Sequence, residues 1–291
     1  MTTRGCCNFM FVKIIIPFFL LLGQMLYGQS SLEENLTLYR AGLYESAIRN
    51  LDSIILLQPN AENYFLRADC KHKLKNFSGA LTDYDAAKIK GYAGTELFLH
   101  RGICRVSMQM LSGAREDLTT YIGINERSAK AYYWLGAADY METENYASIE
   151  RLDVAIMLDS AYAEAYYLRA ANYAELRKYN KALADYGAAI THAPKLYQAR
   201  LNMARVYLET SNYQSAEEIL SELRLEPIDF LSDVYYYRGE ARYRMKDEEG
   251  ACKDWKAAAG EGDPDAKESY EAVCLNRDGK PKYKKQTYFE F

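Results

Sequence analysis

The chain has 291 residues, 49% hydrophobic and 26% charged, a composition that folds and that excludes a disordered polymer. Its 36 basic and 40 acidic residues leave a net charge of −4. That balance excludes a general affinity for nucleic acid, which needs clustered positive charge. Tyrosine is the outlier, with 27 copies, and serves packing and interfaces alike.

Residues 1–28 differ from all that follows. Arg4 and Lys13 give a positive start, Ile14 to Leu22 is an apolar run broken by Pro17, and Gly28 precedes Gln29 and the polar pair Ser30 and Ser31. This is the layout of a secretory signal peptide, with cleavage expected near Gly28–Gln29 and an uncleaved anchor as the alternative. The run is too short for a confident transmembrane helix. A lipoprotein signal would place a Cys directly after the run, but Cys6 and Cys7 lie before it. No later segment reads as a span, so no stable membrane span is expected after cleavage. Cys70, Cys104, Cys252 and Cys274 then remain, an even count that permits disulfides in an exported protein. No pair has Cys-x-x-Cys spacing, so no metal site is expected.

From about residue 29 to 262 the chain repeats itself. A small residue recurs at Ala47, Ala80, Ala114, Ser148, Ala182, Ala216 and Ala251, at spacings of 33, 34, 34, 34, 34 and 35. Twelve residues before each stand Asn35, Ala68, Gly102, Gly136, Ala170, Ala204 and Gly239, six of them small. Two small positions at fixed separation predict two helices that cross closely. Between them lies a short connector with Gly, Asn, Asp or Lys, and Pro59, Pro194 and Pro227 fall near the ends of second helices. The repeat is therefore helix A, turn, helix B, turn, with copies starting near 28, 61, 95, 129, 163, 197 and 232.

Arg67, Arg101, Arg169 and Arg238 share one helix A position, and Asp83, Asp117, Asp185 and Asp254 follow 16 residues later on helix B. Repeats without the Arg (Leu135, Met203) also lack the Asp (Arg151, Ile219). Joint presence predicts structural ion pairs between the helices. The alternative, an Arg ladder for an anionic ligand, would be neutralised by the paired Asp.

The pattern resembles the tetratricopeptide repeat (TPR), best in the copy with Tyr166, Ala170, Tyr173, Tyr179, Ala182, Tyr186, Ala189 and Pro194. The first copy departs at Asn35, and the fourth has Ser148 for Ala and lacks the Pro. The resemblance implies an all-α, right-handed α-solenoid of about seven helix-turn-helix units with a C-terminal capping helix. It also implies a protein or peptide partner held in a concave groove. Carried over residue by residue, the fifth repeat position gives Phe65, Leu99, Tyr133, Tyr167, Leu201 and Tyr236, and the twelfth adds Tyr140 and Tyr243. These side chains either line that groove or pack between helices. The ninth position reads Asp69, Ile103, Ala137, Ala171, Arg205 and Glu240, so the family's Lys and Asn clamp for chaperone carboxylates is absent.

Asp263 and Pro264 open a capping helix over 263–275, as N-cap and first-turn residues. The ending is similar to that of many exported bacterial TPR proteins. Cys252 and Cys274 are expected to bond there, closing a loop of about 22 residues worth about 3 kcal/mol. Cys70 and Cys104 share one position in neighbouring repeats and read as separately buried side chains, a bond between them being the alternative. Residues 276–291 read as a flexible tail with Lys280, Lys282, Lys284 and Lys285 solvated. Its TYFEF end is alternatively an added strand or a docking peptide.

No catalytic residues and no cofactor are expected. His72, His100 and His192 lie in different repeats, and neither a phosphate loop, a nucleophile elbow nor a dinucleotide fingerprint occurs. Binding is the expectation: a protein- or peptide-binding scaffold or assembly factor of the bacterial cell envelope, periplasmic or secreted. The alternatives are a small-ligand or glycan-binding module that stacks on the groove tyrosines, a self-association surface, and an enzyme whose polar pocket the sequence does not signal.

Overall fold

The structure is a computed structural model that describes residues 32–275 together with Pro281 and Tyr288. The expected signal peptide, its cleavage point and the rest of the 276–291 tail lie outside the described residues. All described regular structure is helical, and the chain divides into two compact units, Met1–Ile124 and Asn125–Phe291.

In the first unit, α1 (residues 32–40) pairs with α2 (Tyr44–Leu57), α3 (Ala61–Lys73) with α4 (Phe77–Ile89), and α5 (Glu96–Ser107) with α6 (Leu111–Ile124). In the second, α7 (Ala129–Met141) pairs with α8 (Asn145–Leu158), α9 (Ala163–Glu175) with α10 (Tyr179–His192), α11 (Tyr197–Glu209) with α12 (Tyr213–Leu223), and α13 (Leu231–Arg244) with α14 (Glu248–Gly260). Within each unit, every second helix also packs on the first helix of the next pair, which is the stacking of an α-solenoid. A short helix, α15 (Pro264–Ser269), and a π-helical turn (Tyr270–Cys274) end the second unit against α14.

Each pair turns by the same device. Gly42, Lys75, Gln109, Thr143, Arg177, Ser211 and Lys246 all have positive φ, between 54° and 74°, and each stands five residues before the small helix B position. There the chain closes helix A with a Schellman motif. In the fourth repeat the Thr143 N–H donates to the Tyr140 carbonyl and the Glu144 N–H to the Asp139 carbonyl, both at 2.9 Å. Asn76, Asn212 and Asp247, one residue further on, then cap helix B through their side chains.

The small residues do what their spacing predicts. All seven helix B positions are fully buried. A Cβ on Gly102 would lie 2.9 Å from Leu118 Cγ, and one on Gly239 would lie 2.8 Å from the Trp255 ring, so the pairs cross too closely for a larger residue. Ser148, the departure from Ala, is also satisfied. Its hydroxyl donates to the Gly136 carbonyl at 2.8 Å and accepts from Asn172 at 2.9 Å, tying α8 to α7 and α9.

Each repeated Arg grips its Asp with two nitrogens, at 2.6–2.9 Å in Arg67–Asp83, Arg101–Asp117, Arg169–Asp185 and Arg238–Asp254. Its third nitrogen reaches back to the preceding helix B, at Asp52, Asp85, Asp153 and Ser221 respectively. The Arg thus joins three helices where the spacing predicted two. Lys71, Arg105 and Arg242, four residues after their Arg, bind Asp83, Asp117 and Asp254 in turn.

At the end of the array Asp263 accepts the Ala266 N–H at 2.9 Å, with Pro264 in the first turn. Cys252 and Cys274 form a disulfide, with Cα atoms 5.8 Å apart. Cys70 and Cys104 are free and buried, and burial pushes each thiol up to about 12, which leaves them unreactive.

Candidate interaction groove

The fifth-position ladder turns inward. Leu99, Tyr133, Tyr167, Leu201 and Tyr236 are each less than a tenth exposed and pack in the cores of their units. Phe65 is half-buried and stacks on Tyr92, with centroids 4.1 Å apart. Tyr140 and Tyr243 are half-buried, Tyr243 beside the Trp255 ring. The ladder is therefore interhelical packing and not an open row of stacking platforms. Helices that cross at small residues leave room beside the crossing, and these large side chains fill it.

The groove face lies one step round the helices, at the sixth, ninth and thirteenth repeat positions. In the second unit these bring together Asn202, Tyr237, Arg205, Glu240, Glu175, Glu209 and Arg244 from α9, α11 and α13. A cavity of about 530 Å³ opens beside them, lined by Tyr237, Glu240, Glu175, Glu209 and Arg244 together with Ala174, Leu208 and Tyr288, the last of which Asn202 and Arg205 hold from behind.

Asn202 and Arg205 carry the polar geometry. Asn202 is 3% exposed and Arg205 6%. The Arg205 guanidinium donates to the Asn202 side-chain oxygen at 3.0 Å, which fixes the amide so that its nitrogen faces the groove. That nitrogen donates to the Tyr167 hydroxyl at 3.0 Å and to the backbone carbonyl of Tyr288 at 2.5 Å. The Tyr167 hydroxyl also donates to that carbonyl, at 3.4 Å. The Arg205 guanidinium lies 4.7 Å from the Tyr288 ring centroid and 5.2 Å from that of Tyr237, within cation–π range of both. Tyr288 is itself 6% exposed, so the tail is not solvated at this residue.

Glu240 lies at the floor of the same face. Burial pushes its carboxyl up to about 7 from 4.5; Arg244 opposes the shift, and Glu209 adds to it. Tyr186 is wholly buried among these residues, and burial raises its hydroxyl well above the ordinary range.

The first unit has a polar cluster on its own inner positions. Asp69 accepts from the Tyr84 hydroxyl at 2.5 Å and from His100 Nδ1 at 2.8 Å, and Phe65 lies parallel to the His100 ring. His192 lies elsewhere, stacked on Tyr166. No group of three or more His, Cys, Asp or Glu among the described residues could hold a metal ion, and no described helix is long and apolar enough to cross a membrane.

Of the groove positions that the resemblance implies, the ninth supplies Arg205 and Glu240 here and the twelfth supplies Ala174 and Leu208, whereas the sixth, which holds Asn202 and Tyr237, was not among them. One sign was available: Asn202 is a short amide inside an otherwise apolar helical stripe, where an unpartnered polar group would be costly.

Comparison with known proteins agrees with the fold. Residues 173–227 match the family model of the tetratricopeptide repeat. A tetratricopeptide repeat protein from Parabacteroides merdae superposes with a TM-score of 0.63 at 17% identity, over 84% of this chain and 98% of its own. The C-terminal part of a TPR repeat-containing protein from Cytophaga hutchinsonii gives 0.60 at 17%, over 81% and 97%. Pseudomonas aeruginosa pilF gives 0.60 at 14%, over 73% and 96%. No curated protein matches the sequence. Residues 173–227 thus carry a matched tetratricopeptide repeat, and the described residues have the stacked helix-pair fold of tetratricopeptide-repeat proteins.

Proposed function

We propose that the protein is an exported scaffold that captures an extended protein segment on the inner face of α9, α11 and α13. The fold supports a protein-interaction role generally, and proteins of this family are typically non-catalytic scaffolds. The observation that carries the finer reading is Asn202, a buried amide held by Arg205 with its donor on a backbone carbonyl. A donor so placed reads main chain, which every extended segment offers. The acidic rim of Glu175 and Glu209 favours a segment with basic residues nearby. Export is supported by the charged start and apolar run of residues 1–28 and by the Cys252–Cys274 bond, since disulfides persist in oxidising compartments. The glycan reading loses ground, because the tyrosines it would stack on are buried.

The test is capture from an envelope extract by the full chain. The rim variant Glu175→Lys/Glu209→Lys is expected to lose the captured protein, while Glu150→Arg on the exposed face of α8 retains it. Equal retention by the rim variant would place the contact elsewhere and end this reading.

A further inference from the structure

Tyr288 stands three residues from the last residue, in a segment rich in lysine, yet its ring is buried under Arg205 and its carbonyl is held by Asn202. Three buried polar side chains converge on this one residue: Asn202, Arg205 and Tyr167. A fourth, the Tyr186 hydroxyl, is fully buried nearby with no hydrogen-bond partner among the described residues. Burying that many polar groups around a packing contact would be a poor design, because each costs free energy unless it is satisfied. The arrangement makes sense as a reader. The amide recognises a main-chain carbonyl, and the guanidinium recognises an aromatic face. What is held is a main-chain carbonyl and an aromatic ring, so the recognised feature is an aromatic residue of a peptide chain.

Building on the groove reading above, we propose that this groove reads an aromatic residue of a peptide, by its ring face and main-chain carbonyl, and that the chain's own Tyr288 fills it in cis. The site is thereby closed to partners until a segment of the same chemistry displaces Tyr288. The chain can reach: the 13 residues from Leu275 to Tyr288 span up to about 45 Å when extended. The charge also suits, since Lys280, Lys282, Lys284 and Lys285 precede Tyr288 and Glu175, Glu209 and Glu240 line the cavity. A tethered occupant competes at an effective concentration on the order of millimolar, enough to weaken a modest external ligand roughly tenfold.

The test uses a fluorescein-labelled peptide of residues 286–291, QTYFEF, titrated by anisotropy into the full chain. The Tyr288→Ala chain is expected to bind it about tenfold more tightly than the parent. In that background Asn202→Ala is expected to abolish the gain. Arg205→Lys, which keeps the charge but loses the planar face, should weaken binding less, and circular dichroism checks that each variant stays helical. Equal binding by the parent and Tyr288→Ala would show that nothing blocks the site in cis. Undiminished binding by both the Asn202→Ala and the Arg205→Lys variants would put the peptide elsewhere. No binding by the Tyr288→Ala chain, or a parent dimer in light scattering that Tyr288→Ala converts to monomer, would equally overturn the proposal, the last by showing that the tail acts in trans. The two readings fail separately: loss of capture by Glu175→Lys/Glu209→Lys tests the groove itself, whereas the comparison of the parent with Tyr288→Ala tests only whether Tyr288 blocks it.

Discussion

At the scale of single residues, two kinds of charge are buried, and they behave oppositely. Arg101 and Asp117 are both almost fully buried and satisfy each other through two bonds. Arg101→Ala is expected to cost about 3 kcal/mol in denaturant unfolding, mostly as the penalty on the buried Asp117 left behind, since Asp85 is half-exposed. Arg105, which still holds Asp117, keeps the cost at the low end of that range. Glu240, among the described residues, is met by Arg244 at the longer distance of 3.5 Å. Its carboxyl is raised in the folded state, so between pH 4.5 and about 7 the native protein holds a proton that the unfolded chain has lost. Stability is therefore highest below that window, falls as pH rises through it, and levels off above. The Glu240→Gln variant is expected to lose this slope and to exceed the parent above pH 7 by up to about 3 kcal/mol. A variant that kept the parent's pH profile of Tm would show that Glu240 is ionised at no cost.

At the scale of elements, the turn between paired helices is the recurring constraint. Thr143 is the hardest residue to place there, being β-branched at a φ of 61°. A left-handed conformation costs an ordinary residue about 1–2 kcal/mol, and Gly gives back part of that in unfolded-chain entropy. Thr143→Gly is expected to stabilise the second unit by about 0.5–1 kcal/mol, read as a shift in denaturation midpoint, while Thr143→Val gains nothing. The helix pairs themselves were legible in the sequence, because a small residue every 33–35 positions is a direct statement of close crossing. The Arg–Asp pairs were legible for a similar reason, since a salt bridge leaves two residues that appear and vanish together. The left-handed turn was harder to read, since Lys75, Gln109, Arg177 and Ser211 carry none of the usual Gly signal and the backbone bonds of the Schellman motif impose the conformation. The groove ladder was misplaced because a repeat position fixes only a direction round the helix. Whether a tyrosine pointing that way meets solvent or a neighbouring helix depends on the crossing distance. The tail was legible only as an alternative, a docking peptide at its TYFEF end, since a contact 86 residues away, Asn202 to Tyr288, leaves no local pattern.

At the scale of the whole molecule, a repeat array is held chiefly by contacts between neighbouring repeats, so damage stays near where it occurs. The disulfide joins α14 to the π-helical turn at the very end of the second unit. By loop length it contributes about 3 kcal/mol. In a compact globule that loss would lower every region together. Here each helix pair is held by its neighbours, so Cys252→Ser/Cys274→Ser is expected to act locally. Amide exchange should quicken in α14 and α15 and fall off along α13 and α12, leaving α7 and α8 near their parent rates. Loss of protection throughout the second unit would mean that the unit unfolds as one cooperative body. The effect of reducing the cap would then be a test of cooperativity, and the nearest-neighbour picture of this array would have to be given up.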